Sequence, residues 1–376
     1  MTDTLYTFGI QSNLTKKLFT QQPDPLFGEN DVNLPYNELP SFRISQWTTT
    51  DEDENLHFPC PNTGHYLMEF GLELRFPKID NIVSGTYAKY IPNVGIAAID
   101  KITFKCKSNN LIFSEFDHFL IDILKEYRSK NGSEDSFIGS IEPLTTIQTP
   151  GTSSELSCFI KIPFWFNTNA FPIYLFQTNR HHLTMSVVLK SLDQLVTYDG
   201  MTAPTVETPI QVIPWFKMGY QAIPNELEYH HVMTDYHWIS DIRSNEPICT
   251  FELGDIFLMT QCIYIVCLLE DRYINNDYNN NGLDTFKPLI SSIRLFCGNT
   301  TIVPQTPELV LRAQLKDSTS RYLYKIPFDT VCDFPNGTQL EITMNTLLPC
   351  RFTIYNERLN HLSYDSEKLF SKLIVV

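Results

Sequence analysis

The sequence predicts an all-β protein made of two tandem jelly-roll β-sandwiches, each with a short helix in one long inter-strand connection. Three observations lead there. A β-rich segment from Tyr66 to about Glu126 recurs without net gap 191 residues later, as Phe257 to Asp317. Within each copy, apolar residues alternate with polar ones at the period of two expected of half-buried strands. Each copy is interrupted once, at the matching place, by a stretch with helical period.

The repeat can be followed residue by residue. YLMEFGLEL (66–74) answers FLMTQCIYI (257–265), and IDKITFKCKSNNLI (99–112) answers ISSIRLFCGNTTIV (290–303). Ile99 matches Ile290, Ile102 matches Ile293, Phe104 matches Leu295, Cys106 matches Cys297 and Leu111 matches Ile302. Paired strands tolerate insertion far less than loops do, so a spacing held over this distance marks a duplicated structural unit. Past the helix the offset changes once: Lys161-Ile162-Pro163-Phe164 reappears as Lys325-Ile326-Pro327-Phe328, 164 residues on. The difference lies in a loop, long at 127–157 and short at 318–321.

In chain order, residues 1–55 carry no sustained period. The stretch 21–41 is rich in Pro, Asn and acidic residues, and Asp51 to Glu54 is an acidic run. Such a segment reads as a solvated extension, or as an arm that orders by adding a strand to an exposed sheet edge. Strands follow at 66–74 and 99–112, with Asn109-Asn110 as a turn. In 115–127, Phe116, Phe119, Leu120, Ile123, Leu124 and Tyr127 fall on one helical face, with Ser114 and Asp117 placed as a variant capping box. The matching helix opens at Thr306-Pro307-Glu308, a Thr cap with Pro at the first position. Further strands are expected at 157–166, 181–189, 320–328, 340–344 and 350–356. The stretch 193–215, with Pro204, Pro209 and Pro214, reads as the joint. These boundaries give an N-terminal extension (1–55), a first jelly roll (56–195) and a second (196–376), a count suited to 376 residues.

Composition narrows the function classes. An apolar fraction of 43% with 13% aromatics can build packed cores. The net charge of −15, with Lys and Arg scattered, argues against direct nucleic-acid binding, which needs a basic stripe. No run approaches the ~20 apolar residues of a membrane span, and the N-terminus lacks signal-peptide character, so synthesis in the cytosol is expected. The nine cysteines form no CxxC pair and read as buried thiols. The Asn-x-Ser/Thr triplets at Asn13, Asn131, Asn299 and Asn336 carry little meaning without a secretory route.

No GxSxG, Walker, GxGxxG or HExxH device is present, so no catalytic residue is assigned and the chain is expected not to be an enzyme. His181-His182 precedes a strand. His230, His231 and His237 lie close in sequence, but along a strand 230 and 231 point to opposite faces, which disfavours a metal site. Asp277 to Gly282 matches the first half of a calcium loop, yet the twelfth position is Pro288 in place of Glu, so a surface turn is expected. Pro163-Phe164-Trp165-Phe166 could be an aromatic platform for sugars or bases, but its second-copy partner points to core packing. No metal, cofactor or cofactor-binding residue is therefore assigned.

Taken in order, Ile99–Leu111, the helix 115–127, Pro163 to Phe166 and Phe171-Pro172 through Leu189 resemble the double jelly-roll major capsid proteins of large eukaryotic DNA viruses, virophages and tailless phages. The resemblance covers about residues 60–376. It implies a structural role, as a homotrimeric, pseudo-hexagonal capsomer that tiles an icosahedral virion shell. The partners it implies are neighbouring capsomers, minor capsid or penton proteins and an internal membrane, with assembly in the host cytoplasm. The chain is shorter than the larger eukaryotic members, which keeps open a minor capsid or scaffolding role. The rival reading is a tandem jelly roll of the cupin or carbohydrate-binding kind. Histidines and carboxylates do not recur at matching places in the two copies, which ranks that rival lower.

Overall fold

The structure, a computed structural model, describes residues 55–372 with interruptions, chiefly at 61–65, 130–136, 139–155, 169–172, 175–182, 200–208, 221–228, 275–287 and 314–321, together with short strands at 37–38 and 42–43. The chain forms two compact units, one drawn mainly from Pro23–His231 and the other mainly from Val232–Leu362.

The first unit contains β1 (Asn37–Glu38), β2 (Phe42–Arg43), β3 (Asn55–Pro59), β4 (Tyr66–Phe76), β5 (Tyr87–Tyr90), β6 (Ile99–Cys106), β7 (Leu111–Phe116), β8 (Phe137–Ile138), β9 (Leu156–Lys161), β10 (Ile173–Tyr174), β11 (Leu183–Leu189), β12 (Val196–Asp199) and β13 (Gln211–Tyr220). One sheet runs β1-β13-β4-β9-β8, with β2 also on β13 and β10 on β4. The other runs β3-β11-β6-β7, and β5 pairs with β12 alongside.

Mainly in the second unit lie β14 (Tyr229–Arg243), β15 (Ile248–Glu252), β16 (Thr260–Leu269), β17 (Ile290–Cys297), β18 (Thr300–Pro307), β19 (Leu323–Cys332), β20 (Thr338–Met344) and β21 (Cys350–Asp365), and β22 (Lys368–Lys372) follows them in the chain. Its sheets run β14-β21-β16-β19 and β15-β20-β17-β18, with β22 on β21. Taken in chain order, both units thread eight strand positions through two four-strand ladders in the same way. Each is a jelly roll, so the chain is an all-β double jelly roll.

The register shows how close the repetition is. In the first roll Phe58 pairs with Met185, Met185 with Phe104, and Phe104 with Ser114. In the second, Phe251 pairs with Leu340, Leu340 with Leu295, and Leu295 with Val303. Phe104 and Leu295 are the pair matched by the sequence repeat, and both are fully buried. One difference stands out: in the first roll Ile160 lies opposite Leu72, whereas its counterpart Tyr324 lies opposite Ile265, the counterpart of Leu74. The slip is two residues, which keeps every side chain on its original face.

Two boundaries differ from the sequence expectation. The strands β1 and β2, within the segment read as an extension, pair with β13 of the same chain through Asn37↔Tyr220 and Phe42↔Phe216. The stretch read as a joint supplies β12 and then β13, which lies beside β4 over nine residue pairs from Gln211↔Arg75 to Gly219↔Tyr66. The division between units therefore falls at His231/Val232, later than 195/196. Pro214 hid the strand, since proline removes a ladder donor. At Pro214 the strand has β4 on one side and, among the described residues, no partner on the other, so the missing N–H is tolerated.

The two cores use different side chains. In the first roll the Phe164 ring stacks on Phe166 at 5.1 Å and meets Phe116, Phe104 and Phe70 at 5.1, 5.5 and 6.1 Å. The second core is aliphatic and thiol-rich, built around Ile263, Ile265, Leu295 and Ile342 with Cys249, Cys267 and Cys350.

The helices are α1 (Val94–Ala97), α2 (His118–Ser129), α3 (Glu270–Ile274) and α4 (Glu308–Ala313). Helix α2 starts later than expected because Glu115 and Phe116 stay in β7, opposite Thr103 and Ile102. Its cap is Asp117 alone: Oδ1 accepts the Leu120 N–H at 2.8 Å, whereas Ser114 is buried in the strand. Thr306 likewise does not cap α4, since it ends a strand and its hydroxyl donates to the Pro304 carbonyl at 2.8 Å.

Candidate functional site

The residues that sequence reasoning weighed for chemistry do not converge. The aromatic run is core: Phe164 and Phe166 are fully buried and Trp165 nearly so, leaving no face for a sugar or base. Its counterpart Phe328 is half-buried against Phe334, with ring centroids 5.5 Å apart. His237 lies half-buried on β14, the strand that also carries His230 and His231. His181, His182 and the calcium-loop candidate Asp277 to Gly282 lie outside the described residues, as do most of the loops 127–157 and 271–288. Among the described residues no group of three or more His, Cys, Asp or Glu could hold a metal ion.

Seven of the nine cysteines are buried and all are free thiols; Cys297 and Cys332 are half-buried. Burial pushes the Cys60 and Cys158 thiols up to about 12 and Cys249 to about 11. A thiol held protonated in this way is a poor nucleophile and metal ligand, so these residues act as small hydrophobes.

The second roll carries a buried ionic cluster that sequence reasoning missed. Asp235 on β14 and Arg358 on β21 are 2% and 3% exposed. Arg358 donates through Nη2 to Asp235 Oδ2 at 3.0 Å, and Asn360 Nδ2 donates to the same oxygen at 3.3 Å. Asp235 Oδ1 accepts the Tyr236 N–H at 3.0 Å. Nearby in the strand order, the Tyr264 hydroxyl donates to Glu357 at 2.8 Å, and Lys325 lies over the Tyr264 ring. Burial first and the Glu357 charge second push the Tyr264 phenol well above its ordinary value, so it stays a donor. The alternation Asn356, Arg358, Asn360 continues the core-facing side of β21 with polar residues, the one signal that could have been read from the sequence.

Among the described residues of the second roll, exposed apolar side chains gather in two places. At one end of the second roll the turns are bonded together: Asn245 N–H to the Leu347 carbonyl at 3.0 Å, Met344 N–H to Pro247 at 2.9 Å, and Glu270 N–H to Pro349 at 2.9 Å. Arg351 fixes this end, donating from Nε and Nη2 to the two Glu270 oxygens at 3.0 and 2.8 Å while lying over Tyr273. Ile242, Ile248, Leu347 and Leu348 remain exposed around it, and Ile274 on α3 is 63% exposed. The second feature is α4, where Leu309 is 75% exposed and Val310 half exposed. The matching positions of the first roll, His118 and Phe119, are buried, with α1 packed against their helix. Exposed apolar groups of this kind mark contact surfaces more often than catalytic ones.

No family model and no curated protein matches this sequence. Solved structures do match its fold. PBCV-1 VP54, as fitted into a cryo-EM reconstruction of the virophage Sputnik, superposes with a TM-score of 0.69 at 10% identity, covering 95% of this chain and all of that one. The Faustovirus major capsid protein gives 0.62 at 9% identity, covering 87% and 90% of the two chains. The major capsid protein of Sulfolobus turreted icosahedral virus gives 0.55 at 10% identity, covering 85% and 96%. At such identities the likeness establishes the fold, a double jelly roll along nearly the whole chain.

Proposed function

We propose that this chain is a structural capsid subunit whose activity is self-assembly, three copies forming a pseudo-hexagonal capsomer that tiles an icosahedral shell. The observation that carries the reading is the identical strand order of the two rolls. A three-fold axis acting on a chain with two like-shaped sandwiches generates six similar barrels, and a near-hexagonal tile can pack with copies of itself into a lattice. The similarity in fold to three viral major capsid proteins supports the same role. So do the exposed apolar groups on the second roll, which suit contacts between subunits. Catalysis has no part in the reading, and the acidic balance sets the chain against direct contact with a genome. In the virion its partners would be neighbouring capsomers and minor capsid or penton proteins, with an internal membrane beneath, and assembly would take place in the host cytoplasm.

The test is solution mass combined with particle outline. From a chain of 43.5 kDa, light scattering on the purified protein should give about 130 kDa, and negative-stain images should show hexagonal outlines. A stable monomer at micromolar concentration would remove the reading.

A further inference from the structure

We propose that His118 is an acid-sensitive latch on helix α2: neutral, it accepts a hydrogen bond from Lys190 and holds the helix start against the sheet, and protonation releases that start. The geometry fixes the resting state. His118 occupies the first turn of α2, is 5% exposed and lies against Phe119 with ring centroids 4.0 Å apart. Its Nε2 is 3.3 Å from Lys190 Nζ, at the end of β11. An ammonium has only donors to offer, so Nε2 must be the acceptor, and the ring is neutral with its proton on Nδ1. Adding a proton would set N–H against ammonium in a buried site beside the positive end of a helix.

The surrounding charges leave this conflict in place. Asp100 on β6 and Asp117 at the cap act on Lys190, yet burial outweighs them and brings the amine down to about 8. Lys101 on β6 is committed to Glu115 on β7 at 2.7 Å. Helix α1, packed against α2, consists of Val94, Gly95, Ile96 and Ala97 and brings no charge. Asp122 stands one turn further along α2. His118 is held well below its ordinary value by burial first and Lys190 second. The sign follows from linkage. A histidine whose folded value is depressed binds fewer protons folded than open, so the closed latch is fully stable above about pH 6.5 and weakens as pH falls below it. The second roll places Leu309 at the matching position, so the fold itself does not require a histidine there.

The inference concerns the first roll and does not rest on the capsid reading. Hydrogen exchange of residues 118–124 in the intact protein, corrected for intrinsic rates, tests it between pH 7.5 and 5. Opening should rise by up to about tenfold per pH unit below pH 6.5. In His118→Gln the slope should vanish, and in Lys190→Met it should become shallower with the onset unchanged, because removing the ammonium brings the folded value closer to the open one. An equal slope in His118→Gln, or flat wild-type protection, would overturn the latch. If neither variant folds, an NMR titration of His118 in the wild-type protein decides: with α2 closed the ring should still be neutral at about pH 6.5, and protonation near 6.5 with α2 still closed refutes it.

Discussion

At the scale of single residues, the buried pair Asp235–Arg358 is the most exacting arrangement in the second roll. Two nearly inaccessible charges 3.0 Å apart are expensive to desolvate, and their attraction offsets that cost only while both are present. Asp235→Ala should therefore destabilise the protein by about 3–5 kcal/mol in urea unfolding, because it strands the guanidinium. The double variant Asp235→Leu with Arg358→Met should recover most of that loss. If the double variant is as unstable as the single one, the pair is not acting through its charge. The same scale sets the limit of sequence reading for sites. Phe164 and Phe166 were legible as core from their repeat partner, but Asp235 and Arg358 stand 123 residues apart, and no local pattern joins them.

At the scale of elements, a cap was misassigned for a definable reason. Ser114 and Asp117 both suit a helix start, and sequence alone cannot say how far β7 persists before the turn into α2. Glu115 and Phe116 remain bonded in the sheet, so only Asp117 is free of the strand to reach Leu120 N. Asp117→Ala should cost about 1 kcal/mol or more, and Ser114→Ala should be close to neutral, as thermal unfolding of the two variants would show. Elements with regular periods were readable: β4, β6, β16, β17 and the α2 face all fall where alternation or helical spacing placed them. Among those that were missed, β13 carries Pro214 as a breaker, and β1, β2, β3, β5 and β15 are too short for a period to register. The duplication was legible because its strands are matched in spacing. The domain boundary was not, because the last strand of the first roll lies beyond a proline-rich stretch.

At the scale of the whole molecule, assembly should depend on surface the isolated chain does not need. Leu309 and Val310 stand out from α4, and charged residues there should alter the subunit's own stability by no more than about 0.5 kcal/mol. Leu309→Glu with Val310→Glu should weaken the proposed trimer at least tenfold, about 1.4 kcal/mol, with circular dichroism unchanged; sedimentation measures the first. Full-strength trimer in this variant would place the contact elsewhere. The two-residue slip between the Leu72–Ile160 and Ile265–Tyr324 pairings has a longer reach. Where both partners are buried, one half can drift from its twin only in even steps, since an odd step turns oily groups outward. At the exposed strand β18 the odd offset is present, absorbed by two bulges against β17. Parity is thus a conserved quantity of the interior that the rim is free to break, a ledger of ancestry that survives after the letters of the two halves have ceased to agree.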